Sequence, residues 1–197
     1  MKKLILSTLL MIGLCGTSFG KSANSYNPEN VPARKQTPQG KYLSVHQAHE
    51  LLSKDTDIIF IDVRDSVEVS RAGHPDMIDA IVPIHIQTTQ YNEDLGEFML
   101  AENPNFISEM SAVLKSKNKT RDNKIIITCG SGVRSAMAAH KLSMYGYTNV
   151  WHIPDGYEGD DKPGLNDKNA WKLAGLPWSH DLVDGSQWRL LIIPPER

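Results

Sequence analysis

A single cysteine after a strongly apolar run provides the residue types needed for nucleophilic chemistry. Cys129 follows the apolar residues 125–127 and precedes a loop interrupted by Gly130 and Gly132. Glycine has no Cβ to clash, so this loop can curl until successive backbone N–H groups point inward and bind an anion. Arg134 adds a guanidinium that can bind an oxyanion through two donors, and a helix starting here would add its positive end. Such surroundings favour a thiolate, which is the nucleophilic form of cysteine.

The first twenty residues have the pattern of a secretory signal peptide. Two lysines precede an apolar stretch at residues 4–14, which is shorter than the roughly 20 residues that cross a bilayer. Ser18 and Gly20 then form the small-x-small pattern of a cleavage site. We therefore expect residues 1–20 to be removed on export, leaving a periplasmic protein with no membrane attachment in its mature form.

Export makes the cysteine count informative. Cys15 would leave with the signal peptide, so Cys129 would be the single thiol of the mature chain and could not form an intramolecular disulfide. A free thiol in an oxidising compartment is open to oxidation and mispairing. A buried and inert cysteine is the structural alternative, but the neighbouring glycines and arginine favour a functional thiol.

Two strongly apolar strands should position this loop. The continuous apolar runs at residues 58–61 and 125–127 are typical of strands buried on both faces. The second run is followed by a predicted helix over residues 133–145. Strands that alternate with helices form parallel sheets, so we predict one α/β domain at residues 41–158, a central parallel sheet flanked by helices. Cys129 would then lie at the carboxyl end of a central strand, where such sheets bind ligands.

Weaker patterns complete the predicted domain. Ser44 and Gln47 form a capping signature for a helix at residues 44–52. Residues 81–84 are a weaker strand candidate, and Pro83 within them favours the edge of a sheet. The pattern also predicts a helix from Asn103 to the basic cluster at residues 115–121, and a strand at residues 149–153.

Composition excludes several classes of protein and divides the chain. Of the 197 residues, 40% are hydrophobic and 22% charged, which is typical of a globular chain rather than a coiled coil or a disordered one. The net charge of −2 offers no basic excess for nucleic acid. Residues 21–40 are predicted to be a flexible linker. Residues 159–197 are predicted to be a Trp-rich C-terminal extension, packed on the domain through Trp171, Trp178 and Trp188.

Motifs along residues 41–178 follow the pattern of one protein family. The loop from Cys129 to Ser135 has the form CxxGxR[ST]. Three upstream and two downstream segments agree with further landmarks of that family in the expected order; they are residues 62–64 (DVR), Glu68, residues 73–74 (GH), 146–150 (GYTNV) and 155–159 (DGYEG). The chain thus resembles the rhodanese-like sulfurtransferases, and within them the single-domain exported bacterial members.

The resemblance implies a sulfurtransferase with a persulfide on Cys129. The thiolate would take the outer sulfur from a small anionic donor such as thiosulfate and pass it to a thiol or to cyanide. Backbone amides of the active loop would cradle that sulfur; they belong to Gly130, Ser131, Gly132, Val133, Arg134 and Ser135. Arg134 would orient the donor. Asp62 and Arg64 would support the loop, or alternatively pair with Glu68 or the loop backbone. No metal and no organic cofactor is implied.

Two other functions remain open from the sequence. Protein phosphatases also place a cysteine and an arginine around an anion-binding loop, but with five intervening residues, whereas four separate Cys129 from Arg134. A non-catalytic module that binds sulfur or docks on an exported protein is the second alternative. Residues 73–80 and 87–103 depart from the family pattern, which puts the substrate pocket rather than the cysteine chemistry in question.

Overall fold

A central sheet of four parallel strands carries the cysteine loop. In a computed structural model, which describes residues 28–160 and 169–181, the order from one edge to the other is Ala80–Ile81, Ile59–Asp62, Ile125–Thr128 and Val150–His152. Every neighbouring pair is parallel. The predicted α/β class with a central parallel sheet is confirmed, and so is the edge position that Pro83 indicated.

The elements are numbered along the described part of the chain. The strands are β1 (Ile59–Asp62), β2 (His74–Pro75), β3 (Ala80–Ile81), β4 (His85–Asn92), β5 (Glu97–Glu102), β6 (Ile125–Thr128), β7 (Val150–His152) and β8 (Trp178–Ser179). The α-helices are α1 (Val45–Lys54), α2 (Ser66–Ala72), α3 (Phe106–Ser116) and α4 (Val133–Met144).

Side-chain hydrogen bonds lie at the start of two of the helices; α1 has a side-chain cap, whereas α3 has none. Ser44 Oγ accepts from the Gln47 N–H, and Gln47 Oε1 accepts from the Ser44 N–H, which is the capping box predicted for α1. Helix α3 begins at Phe106, later than predicted. The reason is that buried Asn103 donates from Nδ2 to the Pro83 carbonyl, 2.8 Å away, and so joins the end of the β3 segment to the approach to α3.

The sheet separates two apolar clusters. Side chains alternate along a strand, so Ile59 and Ile61 face one cluster while Phe60 faces the other. The first cluster contains the buried faces of α3 and α4, and the second contains α1 and Trp171. Both faces of β1 and β6 are therefore covered, as their continuous apolar sequences predicted.

A β-hairpin between β3 and α3 is absent from the sequence prediction. Strands β4 and β5 pair with each other as a separate two-stranded sheet. Its large apolar side chains are exposed; they are Ile86, Tyr91, Leu95, Phe98, Met99 and Leu100. From the sequence, residues 87–103 were noted only as a departure from the family pattern.

The described part of the predicted linker is packed rather than flexible. Val31 and Lys35 are buried, and 3-10 turns form at Pro28–Asn30 and Ala33–Lys35. Lys35 Nζ donates to the Pro154 carbonyl at 2.9 Å and lies 2.8 Å from Asp160 Oδ2. The prediction overlooked this lysine because a charged side chain is seldom buried without a partner, and its partners lie far along the chain.

Part of the predicted C-terminal extension contacts the domain. Trp171 is fully buried, its ring centroid lies 5.4 Å from that of Phe60, and its Nε1 donates to the Pro177 carbonyl. Trp178 is partly exposed in β8, which pairs antiparallel with β2. The predicted signal peptide and Trp188 lie outside the described residues. Within residues 28–160 and 169–181, no helix has the length and apolar character needed to span a membrane.

Candidate active site

The sulfur of Cys129 lies at the centre of a small ring of hydrogen-bond donors. Cys129 follows β6 directly, at the carboxyl end of the sheet. Its Sγ accepts from the Gly132 N–H at 3.1 Å and from the Ser135 N–H at 3.3 Å, and Ser135 Oγ lies 3.4 Å away. Cys129 is fully buried against the first apolar cluster. The donors are nevertheless directed at the sulfur, so this burial does not make the thiol a purely apolar side chain.

Two glycines allow the loop to take this shape. Gly132, which precedes α4, has φ +90°, and a Cβ there would lie 2.0 Å from the Pro154 carbonyl oxygen. Gly156 has φ +67°, and its Cβ would lie 2.3 Å from the Gly130 carbonyl oxygen. Neither position has room for a side chain. Gly132 was predicted to shape the loop, whereas no role was predicted for Gly156, whose partner is 26 residues away.

A segment after β7 holds the loop from outside. The Tyr157 N–H donates to the Cys129 carbonyl at 2.8 Å, and the N–H groups of Glu158 and Gly159 donate to the Gly130 carbonyl at 2.9 and 3.1 Å. Because these carbonyl oxygens point outward, the amide N–H groups that follow can turn toward the sulfur. The geometry of the cysteine loop thus depends on backbone contacts distant in sequence.

Arg134 is paired with a carboxylate. Its Nη1 and Nη2 donate to the two carboxylate oxygens of Glu68, each at 2.6 Å. Burial opposes the charge, but these hydrogen bonds and the negative charge of Glu68 raise the pKa of Arg134 above its ordinary value. Arg134 was predicted to orient the donor anion, whereas in the structure the two nitrogens that could do so, Nη1 and Nη2, bind Glu68.

Asp62 and Arg64 form a buried ion pair beneath the site. Arg64 Nη2 lies 2.7 Å from Asp62 Oδ2 and 2.8 Å from the Gly73 carbonyl, and its Nε also donates to Asp62. The guanidinium lies 4.2 Å from the centroid of the Tyr157 ring. Arg64 therefore connects β1, the turn after α2 and the segment that holds the cysteine loop. Its partner is Asp62, rather than Glu68 or the loop backbone.

A second carboxylate, that of Glu158, lies beside the start of the loop. The Glu158 side chain is 44% exposed, and its Oε2 lies 3.6 Å from Arg64 Nη1. A Cβ placed on Gly130 would lie 3.2 Å from Glu68 and 3.8 Å from Glu158, so both carboxylates border the start of the loop. Glu158 lies within the motif at residues 155–159, but no role was predicted for it from the sequence.

The hairpin β4–β5 starts beside the same end of the sheet. Asp65 accepts from the Val67 N–H through Oδ1 and from the Gln87 N–H through Oδ2, which ties β4 to the start of α2. At the end of β5, Glu102 pairs with Lys141 of α4. A cavity of about 460 Å³ lies between the base of the hairpin and α4. Its lining includes Ile84, His85, Glu102, Met137, His140 and Lys141, and does not include Cys129.

No metal centre is apparent in the part of the chain that the structure describes, since no three of its His, Cys, Asp and Glu side chains form a group able to hold an ion. The buried His152 of β7 belongs to no such group. Burial first, and then the positive charge of Lys35, lower the pKa of His152 to about 3. This imidazole is therefore neutral at ordinary pH.

Comparison with known proteins identifies the family. A family model described as a rhodanese-like domain matches residues 44–161, which is more than half of the chain. An uncharacterised protein of Rickettsia prowazekii, RP600, is 29% identical over 134 residues, covering 67% of this chain and 91% of the relative. Rhodanese-like domain-containing protein 17 of Arabidopsis thaliana is 34% identical over 116 residues, 58% of this chain and 64% of the relative.

A solved structure has a similar fold. The crystal structure of Rv0390 from M. tuberculosis superposes with a TM-score of 0.53 at 28% identity, covering 72% of this chain and 98% of that one. The matched region contains the sheet, the cysteine loop and the segment after β7. The chain therefore belongs to the rhodanese-like domain family.

Proposed function

We propose that this protein is a sulfurtransferase that moves a sulfane sulfur from a donor such as thiosulfate to a thiophilic acceptor through a persulfide on Cys129. The observation that supports this most directly is the ring of donors from Gly132 and Ser135 around Sγ. Membership of the rhodanese-like family agrees with it. We also propose that the activity lies in the periplasm, because residues 1–20 have the pattern of an export signal.

The first chemical step forms the persulfide. The Cys129 thiolate attacks the outer sulfur of the donor, the sulfur–sulfur bond of the donor breaks, and sulfite leaves with the bonding electron pair. A new sulfur–sulfur bond now joins Cys129 to the transferred atom. The Gly132 and Ser135 donors stabilise the negative charge on sulfur before and after this transfer.

The second step returns the enzyme to its starting state. A thiolate or cyanide attacks the terminal sulfur of the persulfide, and the electron pair of the broken bond returns to Cys129. With cyanide the product is thiocyanate. Since Cys129 has no exposed surface in this structure, we expect the loop to admit slender donors with an unbranched terminal sulfur.

The structure disfavours a phosphatase for an electrostatic reason. A phosphatase needs the two donors of its loop arginine to bind oxygens of the phosphoryl group. Arg134 donates to both oxygens of Glu68 instead, and the loop has four intervening residues rather than five. A tetrahedral phosphate would have to displace Glu68 and enter a smaller ring.

A non-catalytic docking module is the second candidate, and the exposed apolar hairpin favours it. Large apolar side chains are exposed along both strands of the hairpin, including Ile86, Phe98 and Leu100. Exposed apolar patches of this kind often mark interaction surfaces. In this case Cys129 would bind sulfur or remain inert while the hairpin docks on another exported protein.

Intact mass and thiocyanate production test the proposed activity. The protein incubated with thiosulfate should gain the mass of one sulfur atom, and cyanide should then release that sulfur as thiocyanate. Cys129→Ser should abolish both. As a matched control, Ser108→Cys in the Cys129→Ser background returns an exposed thiol on α3 without the donor ring, and should not restore turnover. A folded wild-type protein that never gains sulfur would favour the docking module, and phosphate release from aryl phosphates would favour the phosphatase.

A further inference from the structure

Five charged side chains adjoin the cysteine loop, and together they are negative. The carboxylates are Asp62, Glu68 and Glu158, and the guanidinium groups are Arg64 and Arg134. A Cβ on Gly130 would contact Glu68, Arg134 and Glu158 within 3.8 Å, so at least three of the five lie directly at the start of the loop. The group carries one more negative than positive charge before the Cys129 thiolate is counted.

Both guanidinium groups are already bound to carboxylates. Arg134 uses two nitrogens on the two oxygens of Glu68. Arg64 uses Nε and Nη2 on Asp62, and is fully buried. Carboxylate partners raise the pKa of each arginine against the effect of burial, which agrees with tight pairing. Arg64 Nη1 has no hydrogen-bond partner among the described residues, but it is buried and lies 3.6 Å from the Glu158 carboxylate. The positive charge of both arginines is therefore already offset by carboxylates.

Glu158 is the carboxylate left in excess. Its backbone position is fixed, because its N–H donates to the Gly130 carbonyl. Its carboxylate lies 3.6 Å from Arg64 Nη1, which is too long for a hydrogen bond, and almost half of the side chain is exposed. It thus places a negative charge beside Gly130, at the start of the loop that a donor anion has to approach.

We propose that Glu158 is a specificity-determining residue, and that the natural donor is a singly charged organic sulfane-sulfur compound rather than a dianion such as thiosulfate. This inference rests on the proposed sulfur transfer and refines its donor. Coulomb energy is proportional to the charge of the donor, so repulsion by Glu158 acts twice as strongly on a dianion as on a monoanion. The same residue repels a singly charged donor half as strongly.

Methanethiosulfonate and thiosulfate form a suitable pair of probes. Both present a terminal sulfane sulfur on a tetrahedral sulfur centre, but the first carries one negative charge and the second carries two. With methanethiosulfonate, the Cys129 thiolate bonds to the terminal sulfur, the donor sulfur–sulfur bond breaks, and methanesulfinate leaves with the electron pair. The persulfide product is the same, so a common thiocyanate assay follows both reactions.

The experiment compares kcat/KM for the two donors in wild type and Glu158→Gln. Removing the half-exposed Glu158 charge beside the loop should raise kcat/KM about threefold for methanethiosulfonate and about tenfold for thiosulfate. Glu158→Asp keeps the charge and should retain the wild-type preference. Glu50→Gln is the matched control: it removes one exposed carboxylate from α1, which leads to the amino end of β1, and should change neither donor.

Ionic strength gives a second measurement that needs no variant. Salt screens exposed charges, so the wild-type rate with thiosulfate should rise relative to that with methanethiosulfonate as salt is added. Equal changes for both donors in Glu158→Gln, or no change, would overturn the inference, as would a wild-type donor ratio independent of salt. If the folded wild type accepts sulfur from neither donor, the proposed function itself fails, and this inference fails with it.

Discussion

Replacing Gly132 by alanine should disrupt the ring of donors around the Cys129 sulfur. The new Cβ would lie 2.0 Å from the Pro154 carbonyl oxygen, whereas carbon–oxygen contacts are ordinarily about 3.3 Å or longer. The loop and the segment after β7 would have to separate by more than about 1 Å. That shift is enough to lengthen the 3.1 Å contact from the Gly132 N–H to Sγ beyond a useful hydrogen bond.

Two effects add to give the expected magnitude. Alanine at φ +90° costs about 1–2 kcal/mol in backbone strain, and overpacking against Pro154 costs about 1–3 kcal/mol more. Losing one preorganised donor lowers a rate by about a hundredfold or more. We therefore expect the free energy of unfolding to fall by about 2–5 kcal/mol and persulfide formation to slow by at least about a hundredfold. Urea denaturation and a mass-resolved time course measure the two quantities.

Gly40→Ala separates backbone strain from the clash. Gly40 has φ +59°, and a Cβ there would have nothing within 4 Å. This variant should lose about 1 kcal/mol of stability and keep its rate of sulfur transfer. If Gly132→Ala resembles Gly40→Ala in both measurements, the contact with Pro154 does not shape the loop, and the argument from the donor ring is wrong.

Three further outcomes follow from the contacts of the site. Arg64→Met should lower the free energy of unfolding by about 3–5 kcal/mol in urea titrations, because it leaves Asp62 buried without its partner; a loss below about 1 kcal/mol would contradict this. Ser135→Ala removes the hydroxyl 3.4 Å from Sγ but keeps the amide, so persulfide formation should slow on the order of tenfold with little change in stability. His152 has a pKa of about 3 when folded and about 6.5 when exposed, so only the unfolded state binds its proton between these values. Stability should therefore fall as pH drops from 6.5 toward 3, by about 1.4 kcal/mol per pH unit from this group, and the slope should be smaller in His152→Leu.

The parts of the site that are local in sequence could be predicted from it. The apolar run before Cys129 predicted a buried central strand, and β6 occupies that position. The break at Gly132 predicted a loop followed by a helix, and α4 begins at Val133. These features depend on backbone sterics and apolar burial over a few neighbouring residues, which the sequence states directly.

The partners of each charged group could not be predicted in the same way. Arg134 and Glu68 are 66 residues apart, and nothing in their spacing distinguishes this pair from a pairing of Glu68 with Arg64. The hairpin β4–β5 was missed for a different reason. Its strands are exposed along nearly their whole length, so they lack the apolar and polar alternation that marks a half-buried strand.

Residues 28–40 contribute to the cysteine loop through contacts that are distant in sequence. Lys35 donates to the Pro154 carbonyl, and the same carbonyl oxygen closes off the position where Gly132 would carry a side chain. Gly132 in turn directs its N–H to the sulfur of Cys129. The donor ring is therefore held by three chain segments that meet only in the folded domain, although the loop sequence alone suggests a self-contained motif. A loop of identical sequence without Pro154 and the segment after β7 would lack the contacts that direct its amides at the sulfur. The reactivity that we propose for Cys129 therefore depends on the whole sheet edge.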